Sequence, residues 1–301
     1  MMEEKTYPFY KKIALALGPL LFILFILLTP EGDSQLYKVY GISSWIIIWW
    51  MAEVVPIYIT AILPMILFPT LGLFSVKDSF LPYANPIIFL FMGGFIIALA
   101  MEERKLHIRI ALHIIKLTGT KPLGILLGMM LATAFLSMWI SNTATTVMML
   151  PIAMSVLNLL KKQNANESKD FNAFGLAMLL SIAYAANIGG TITIIGTPPN
   201  VVFAGLFEEY HGIEIGFGKW MLVGLPTGII LLSITYFLLT KVLLKFQLDE
   251  IDGSAALFDR KRKELGTMEK GEQMVLIIFV LTAILWIFKS QFNWLLGSNI
   301  L

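Results

Sequence analysis

Hydrophobic positions in this chain form long unbroken runs rather than alternating with polar ones. A hydrocarbon core about 30 Å thick needs roughly 20 helical residues to cross it. Runs suited to a single span fall at 12–29, 41–54, 56–74, 85–101, 218–241 and 273–288. Two others, 122–160 and 171–207, contain no Asp, Glu, Lys or Arg yet extend over 39 and 37 residues. Each is too long for one ordinary span. The first run follows Lys11 and Lys12 much as a signal peptide's apolar core would. It ends in Thr29-Pro30-Glu31-Gly32 instead of a small-x-small cleavage site, which marks it as a span.

Composition agrees with a bilayer as the solvent. Of 301 residues, 57% are hydrophobic and 14% charged, with a mean hydropathy of +0.80. That is more apolar surface than one soluble core could bury. A net charge of +2 gives no reason to expect nucleic acid as a partner, and the absence of Cys removes disulfides and thiolate metal sites. Where the basic residues fall is more informative.

Let 122–160 leave one face of the membrane and return to it, with the N-terminus in the cytoplasm. Cytoplasmic segments then carry Lys5, Lys11 and Lys12, five basic residues in 104–121, three in 161–169 and seven in 241–270, or 18 of the chain's 22. Outside remain Lys38, Lys77, Lys219 and Lys289. A single crossing by 122–160 would invert every later loop and divide the charges almost evenly, contrary to the positive-inside rule. The run 171–207 must cross once, and its excess length points to an interruption. Gly189-Gly190 and Gly196-Thr197-Pro198-Pro199-Asn200 are the residues expected to break it. Unwound backbone at membrane depth has to be buried in protein or line a cavity.

Both anomalies carry polar groups at mid-depth. In Ser137-Met138-Trp139-Ile140-Ser141-Asn142-Thr143-Ala144-Thr145-Thr146, Ser137 and Ser141 are four apart and share a helix face. Asn142 and Thr143 follow where the chain turns back. Such a tip offers carbonyl and hydroxyl oxygens, which suit a hard cation such as sodium. It also offers free amides at a helix start, which suit a carboxylate. Gly196 to Asn200 is expected to supply the same pair from the broken helix. Discontinuous helices meeting near the midplane recur in secondary transporters, although small polar residues also serve plain helix packing in membranes. Neither long run holds an acidic residue or a His, so no proton relay or nucleophile-base pair can form within them. This favours sodium over protons and argues against an enzyme.

The runs SNTATTVMMLPIA at 141–153 and GGTITIIGTPPN at 189–200 resemble the divalent anion/sodium symporter family, whose members carry dicarboxylates, citrate or sulfate. WWMAEVVPIYITAILPMILFPTLG at 49–72 is similar to the second and third spans of that family. The resemblance implies an all-α integral membrane protein: the first half of an inverted-repeat, elevator-type transporter, with a re-entrant helical hairpin and a broken transmembrane helix. It further implies sodium binding by Ser137, Ser141, Asn142 and Gly196, and substrate binding by Asn142, Thr143, Thr197 and Pro198. A homodimer in the cell (inner) membrane would carry di- or tricarboxylates with sodium as the coupling ion and without a cofactor. On that pattern residues 1–40 are the N-terminal tail and first span. Residues 41–121 are scaffold spans with a cytoplasmic amphipathic segment, and 122–217 belong to the transport domain. Residues 218–272 hold the sixth span and a cytoplasmic loop, and 273–301 begin a second repeat. Family members carry a second hairpin and a second broken helix, so a chain ending at Leu301 is expected to be a fragment with one cation site and half of a substrate clamp.

Three readings remain open: a sodium-coupled symporter, a sodium-independent dicarboxylate exchanger of the same family, and a channel or structural subunit that uses the small residues for packing. Outside the two anomalies, Glu53 reads as a solvated or helix-capping residue at the cytoplasmic surface. The spacing of Leu106, Ile110, Ile114 and Leu117 predicts an amphipathic helix on the cytoplasmic face, with His107 and His113 at the interface. Arg260-Lys261-Arg262-Lys263 reads as a topology-setting cluster.

Overall fold

A computed structural model of the chain describes residues 8–30, 33–162, 169–248, 251 and 253–297. Lys5, Glu31, Gly32 and the last four residues, which figure in the sequence reading, lie outside the described residues. The described residues are helical throughout, with no strand among them. The chain divides into two compact units that meet between Asn85 and Pro86.

The first unit contains α1 (Phe9–Leu27), α2 (Ser34–Ala52), α3 (Ile57–Thr70), α4 (Val76–Phe80) and a 3-10 turn at Leu81–Ala84. Helices α1 and α2 form an antiparallel hairpin in which Gly18 lies beneath Trp45 and Trp49, and Gly41 beneath Phe22. The Trp49 indole N–H donates to the Leu15 carbonyl. Glu53 caps α2 in the left-handed region at φ 45°. Its carbonyl accepts from Lys11 Nζ at 2.7 Å, so the solvated and capping roles expected of it coincide.

The second unit runs through α5 (Pro86–Glu103), α6 (Leu106–Leu117), α7 (Pro122–Ser137), α8 (Asn142–Lys162), α9 (Lys169–Ile192), α10 (Pro198–His211) and α11 (Phe217–Phe237). Helix α11 extends into a π-helical turn at Leu238–Leu243. Then come α12 (Ser254–Glu264), α13 (Lys270–Ile287) and α14 (Lys289–Leu296). Helix α7 is apolar on every face and buried along most of its length, from Pro122 to Ser137. A helix of that kind belongs inside protein, and its 16 residues give about 24 Å at 1.5 Å per residue, short of a full crossing. By contrast Leu222, Val223, Ile229 and Ile230 on α11, and Ile277 and Ile278 on α13, are exposed. Exposed apolar surface on that scale fits lipid rather than water.

Six helical stretches among the described residues are long and apolar enough to cross a membrane: Phe9–Leu27, Val76–Glu103, Asn142–Lys162, Lys169–Ile192, Phe217–Leu243 and Lys270–Ile287. Helices α3 and α7 are apolar but shorter. Helix α2 covers the expected run 41–54 only as far as Ala52 and begins earlier, at Ser34, with Gln35 and Lys38 in its first turns.

Close contacts give the direction of each helix around α9. Ala134 of α7 lies against Gly189, and four residues later the Met138 carbonyl accepts from Thr193 Oγ1. Helix α7 and the end of α9 therefore run parallel. On α8, Asn142 lies against Gly190, whereas Leu157, fifteen residues on, lies against Gly175. Helix α8 thus runs antiparallel to both, so the chain reverses at the 138–141 turn.

Two expectations are corrected. Gly189 and Gly190 do not interrupt α9, which stays helical to Ile192. They are small because Ala134 and Asn142 pack where a Cβ would stand. In α6 the buried face is Leu106, His107, Ala111, Leu112 and Ile115, turned by about one position from the expected stripe because it packs on protein, and Leu117 is exposed. His107 is accordingly a core residue and not an interfacial one, with Nδ1 3.1 Å from the Met101 carbonyl, while His113 is exposed. Burial pushes the His107 imidazole below its ordinary value, against the opposing pull of the Met101 hydrogen bond and the Glu102 charge.

Candidate functional site

The site is built where α7 ends, α8 begins and α9 breaks. Pro122 starts α7 at a position that needs no N–H, and the helix runs to Ser137 before residues 138–140 turn. The turn is held from outside by Trp139, whose ring stacks on Phe217 at 5.9 Å and meets Phe279 edge-on at 4.8 Å. Ser141 then caps α8: its Oγ accepts the Ala144 amide at 3.3 Å, and its carbonyl accepts the Thr145 amide at 2.9 Å. This is the N-cap pattern expected of Ser.

Ser137 Oγ, itself fully buried, lies 2.9 Å from Asn142 Oδ1 and 2.7 Å from the Ala186 carbonyl. A hydroxyl has one proton, so it can donate to only one of these two oxygens at a time. Two other uncharged oxygens therefore lie within hydrogen-bond reach of the Ser137 hydroxyl. The other end of the Asn142 amide donates from Nδ2 to Asn187 Oδ1 at 3.1 Å. Gly190 completes the wall, since a Cβ there would collide with Asn142 Oδ1.

Side chains donate to the last turn of α9 and to Thr193 in the unwound segment 193–197, since buried irregular backbone needs partners. Asn200 Nδ2 donates to the Gly190 carbonyl at 2.9 Å and to the Thr193 carbonyl at 2.8 Å, stapling the last turn of α9 to the first turn of α10. The Trp220 indole N–H donates to the Thr191 carbonyl at 3.0 Å. Gly196 fits against the backbone of Gly190. Thr197 caps α10 in an extended conformation, followed by Pro198 and Pro199 in the first turn.

The residues singled out in the sequence are therefore distributed unevenly. Ser137 and Asn142 meet directly. Ser141 adjoins them but uses both its oxygens in capping α8. Gly196 packs against the backbone of Gly190, and Gly190 in turn lies against Asn142. Thr143 is exposed, Thr197 half-buried and Pro198 exposed, and no hydrogen bond ties their side chains to the oxygen cluster among the described residues. The expectation that the broken helix offers amides as freely as α8 does needs correction, because Pro198 and Pro199 have no N–H. At the start of α8 the amides of Asn142 and Thr143 point out of the first turn without intrahelical partners.

Sequence reasoning missed Asn187 and the Ala186 carbonyl, read Gly190 only as a helix breaker, and used Asn200 only as part of a motif. Asn187 could have been found as a carboxamide one turn before the break on an apolar helix. A backbone carbonyl leaves no mark in sequence.

The arrangement can hold a hard, singly charged cation in neutral oxygens and can hydrogen-bond an anion at the start of α8. No group of three or more His, Cys, Asp or Glu suited to a metal ion occurs among the described residues. Fold and site together define a multi-pass helical membrane protein with an oxygen-lined site at a helix break. Residues 10–299 match the family model described as the sodium:sulfate symporter transmembrane region, and the chain belongs to that family, one of symporters and not of enzymes. It is 41% identical over 293 residues to the sodium-dependent dicarboxylate transporter SdcS of Staphylococcus saprophyticus. It is 42% identical over the same length to that of Staphylococcus aureus strain USA300. Each match covers 96% of this chain and 56% of the relative, so the chain spans little more than half the length of these curated relatives.

Proposed function

We propose that the protein is a secondary transporter in the cell membrane that couples inward movement of sodium to uptake of di- or tricarboxylates such as succinate, malate, fumarate or citrate. The observation that carries this reading is the Ser137 hydroxyl within reach of both Asn142 Oδ1 and the Ala186 carbonyl, beside the amides that open α8. Sodium sits among Ser137, Ser141, Asn142 and Gly196. A substrate carboxylate lies against the amides of Asn142 and Thr143 and near Thr197 and Pro198. A filled cation site adds positive charge next to the carboxylate, which couples the two ligands energetically. Support also comes from the staphylococcal relatives, which are sodium-dependent dicarboxylate transporters. The N-terminus lies in the cytoplasm, residues 122–160 form a re-entrant hairpin, and the full protein is a homodimeric inverted-repeat elevator.

Uptake of labelled succinate by proteoliposomes containing the product of the complete reading frame tests the proposal. An inward sodium gradient should drive accumulation. Uptake that ignores sodium and requires internal dicarboxylate would replace this reading with an exchanger. No uptake of any carboxylate, with Asn142→Ala altering only expression, would leave packing as the role of these residues.

A further inference from the structure

Asn142 can serve a cation only if its amide oxygen, and not its NH2, faces Ser137. Ser137 does not enforce this. Its hydroxyl could donate to the Ala186 carbonyl, 2.7 Å away, while accepting from an inverted Asn142 amide, because a hydroxyl both gives and receives. The constraint comes from the other side of Asn142. The Ala183 carbonyl can only accept, and it takes Asn187 Nδ2 at 3.1 Å. That fixes the Asn187 amide with Oδ1 toward Asn142. An amide oxygen can only accept, so Asn142 must present Nδ2 to it, as observed at 3.1 Å, and its own Oδ1 must then point at Ser137, 2.9 Å away.

We propose that Asn187 is a positioning residue for the cation site: it transmits the polarity of the Ala183 carbonyl through two carboxamides and so holds the Asn142 oxygen toward the cation. This rests on the reading of Asn142 Oδ1 as a sodium ligand. Without Asn187 the Asn142 amide inverts freely, and in the inverted state its NH2 dipole opposes a cation.

The test uses the full protein in proteoliposomes and measures half-saturating sodium and half-saturating succinate at saturating sodium. Asn187→Ala should raise half-saturating sodium about tenfold, the equivalent of one hydrogen bond, and leave half-saturating succinate at saturating sodium within about twofold. Asn187→Asp keeps an accepting oxygen and should restore sodium affinity to within about threefold of wild type. Asn187→Ser is too short to reach Asn142 and should behave as Ala. Unchanged sodium affinity in the Ala and Ser variants, or equal loss in Asp and Ala, would overturn the proposal. So would a failure of all three variants to fold, which would make Asn187 a structural residue. The underlying reading fails separately, if wild-type uptake is independent of sodium or if Asn142→Ala leaves sodium affinity unchanged.

Discussion

Replacing Gly190 by Ala adds one methyl group at the point where α9 touches the start of α8. That methyl would overlap Asn142 Oδ1. The obstructing atom is the end of a side chain, so α9 need not move; Asn142 swings away instead. It then loses the 2.9 Å contact with Ser137 and the 3.1 Å bond to Asn187. At about 1 kcal/mol for each hydrogen bond, the displacement costs about 2 kcal/mol, or roughly thirtyfold in half-saturating sodium. The adjacent variant Gly189→Ala is the control. Its methyl would meet the Ala134 backbone, which cannot rotate aside, so the damage falls on folding and yield. The assay is sodium-dependent succinate uptake, or sodium-induced thermal stabilisation of purified protein, with yield followed in parallel. A Gly190→Ala protein that folds and keeps sodium affinity within twofold of wild type would refute the placement of the cation beside Asn142.

Other parts of the fold can be tested independently. Asn200→Leu removes both bonds of the staple across the break and should lower stability in detergent by about 2 kcal/mol, read as a lower melting temperature. Glu272, buried at the start of α13, receives Arg109 Nη2 at 3.0 Å and also its Nε, and Arg109 in addition donates to the Gly266 carbonyl at 3.2 Å. Arg109→Ala leaves that carboxylate unpaired and should cost about 3 kcal/mol; adding Glu272→Gln should recover part of it in a double-mutant cycle. His107 is held below its ordinary 6.5 by burial, so its contribution is present above pH 6.5 and is lost as pH falls through the lowered folded value. Melting temperature should therefore fall on acidification below pH 6.5 more steeply in wild type than in His107→Gln. Parallel curves would exclude His107 as the cause.

The two irregular stretches were legible in the sequence because irregularity has a composition: Ser-Asn-Thr at bilayer depth and a double proline cannot extend an apolar helix unnoticed. The partners that satisfy the irregular backbone were not legible. Thr193 donates across 55 residues to Met138, and Trp220 across 29 to Thr191, and neither pairing leaves a periodic signal. Gly189 and Gly190 misled for a related reason. Intrinsic propensity speaks against glycine in a helix, but the close approach of α7 and α8 outweighs it. The buried face of α6 was offset because an apolar stripe does not distinguish lipid from protein as its neighbour, and His107 was misplaced with it.

Proline at the first two positions of α10 has an effect beyond its geometry. An ordinary helix start leaves four amides seeking partners, and drying one costs about 1–3 kcal/mol for each amide left bare. Pro198 and Pro199 remove two of those demands altogether. That end of the helix can therefore exchange water for an apolar surface, and the reverse, with a much smaller hydration penalty than the amide-bearing start of α8 would incur.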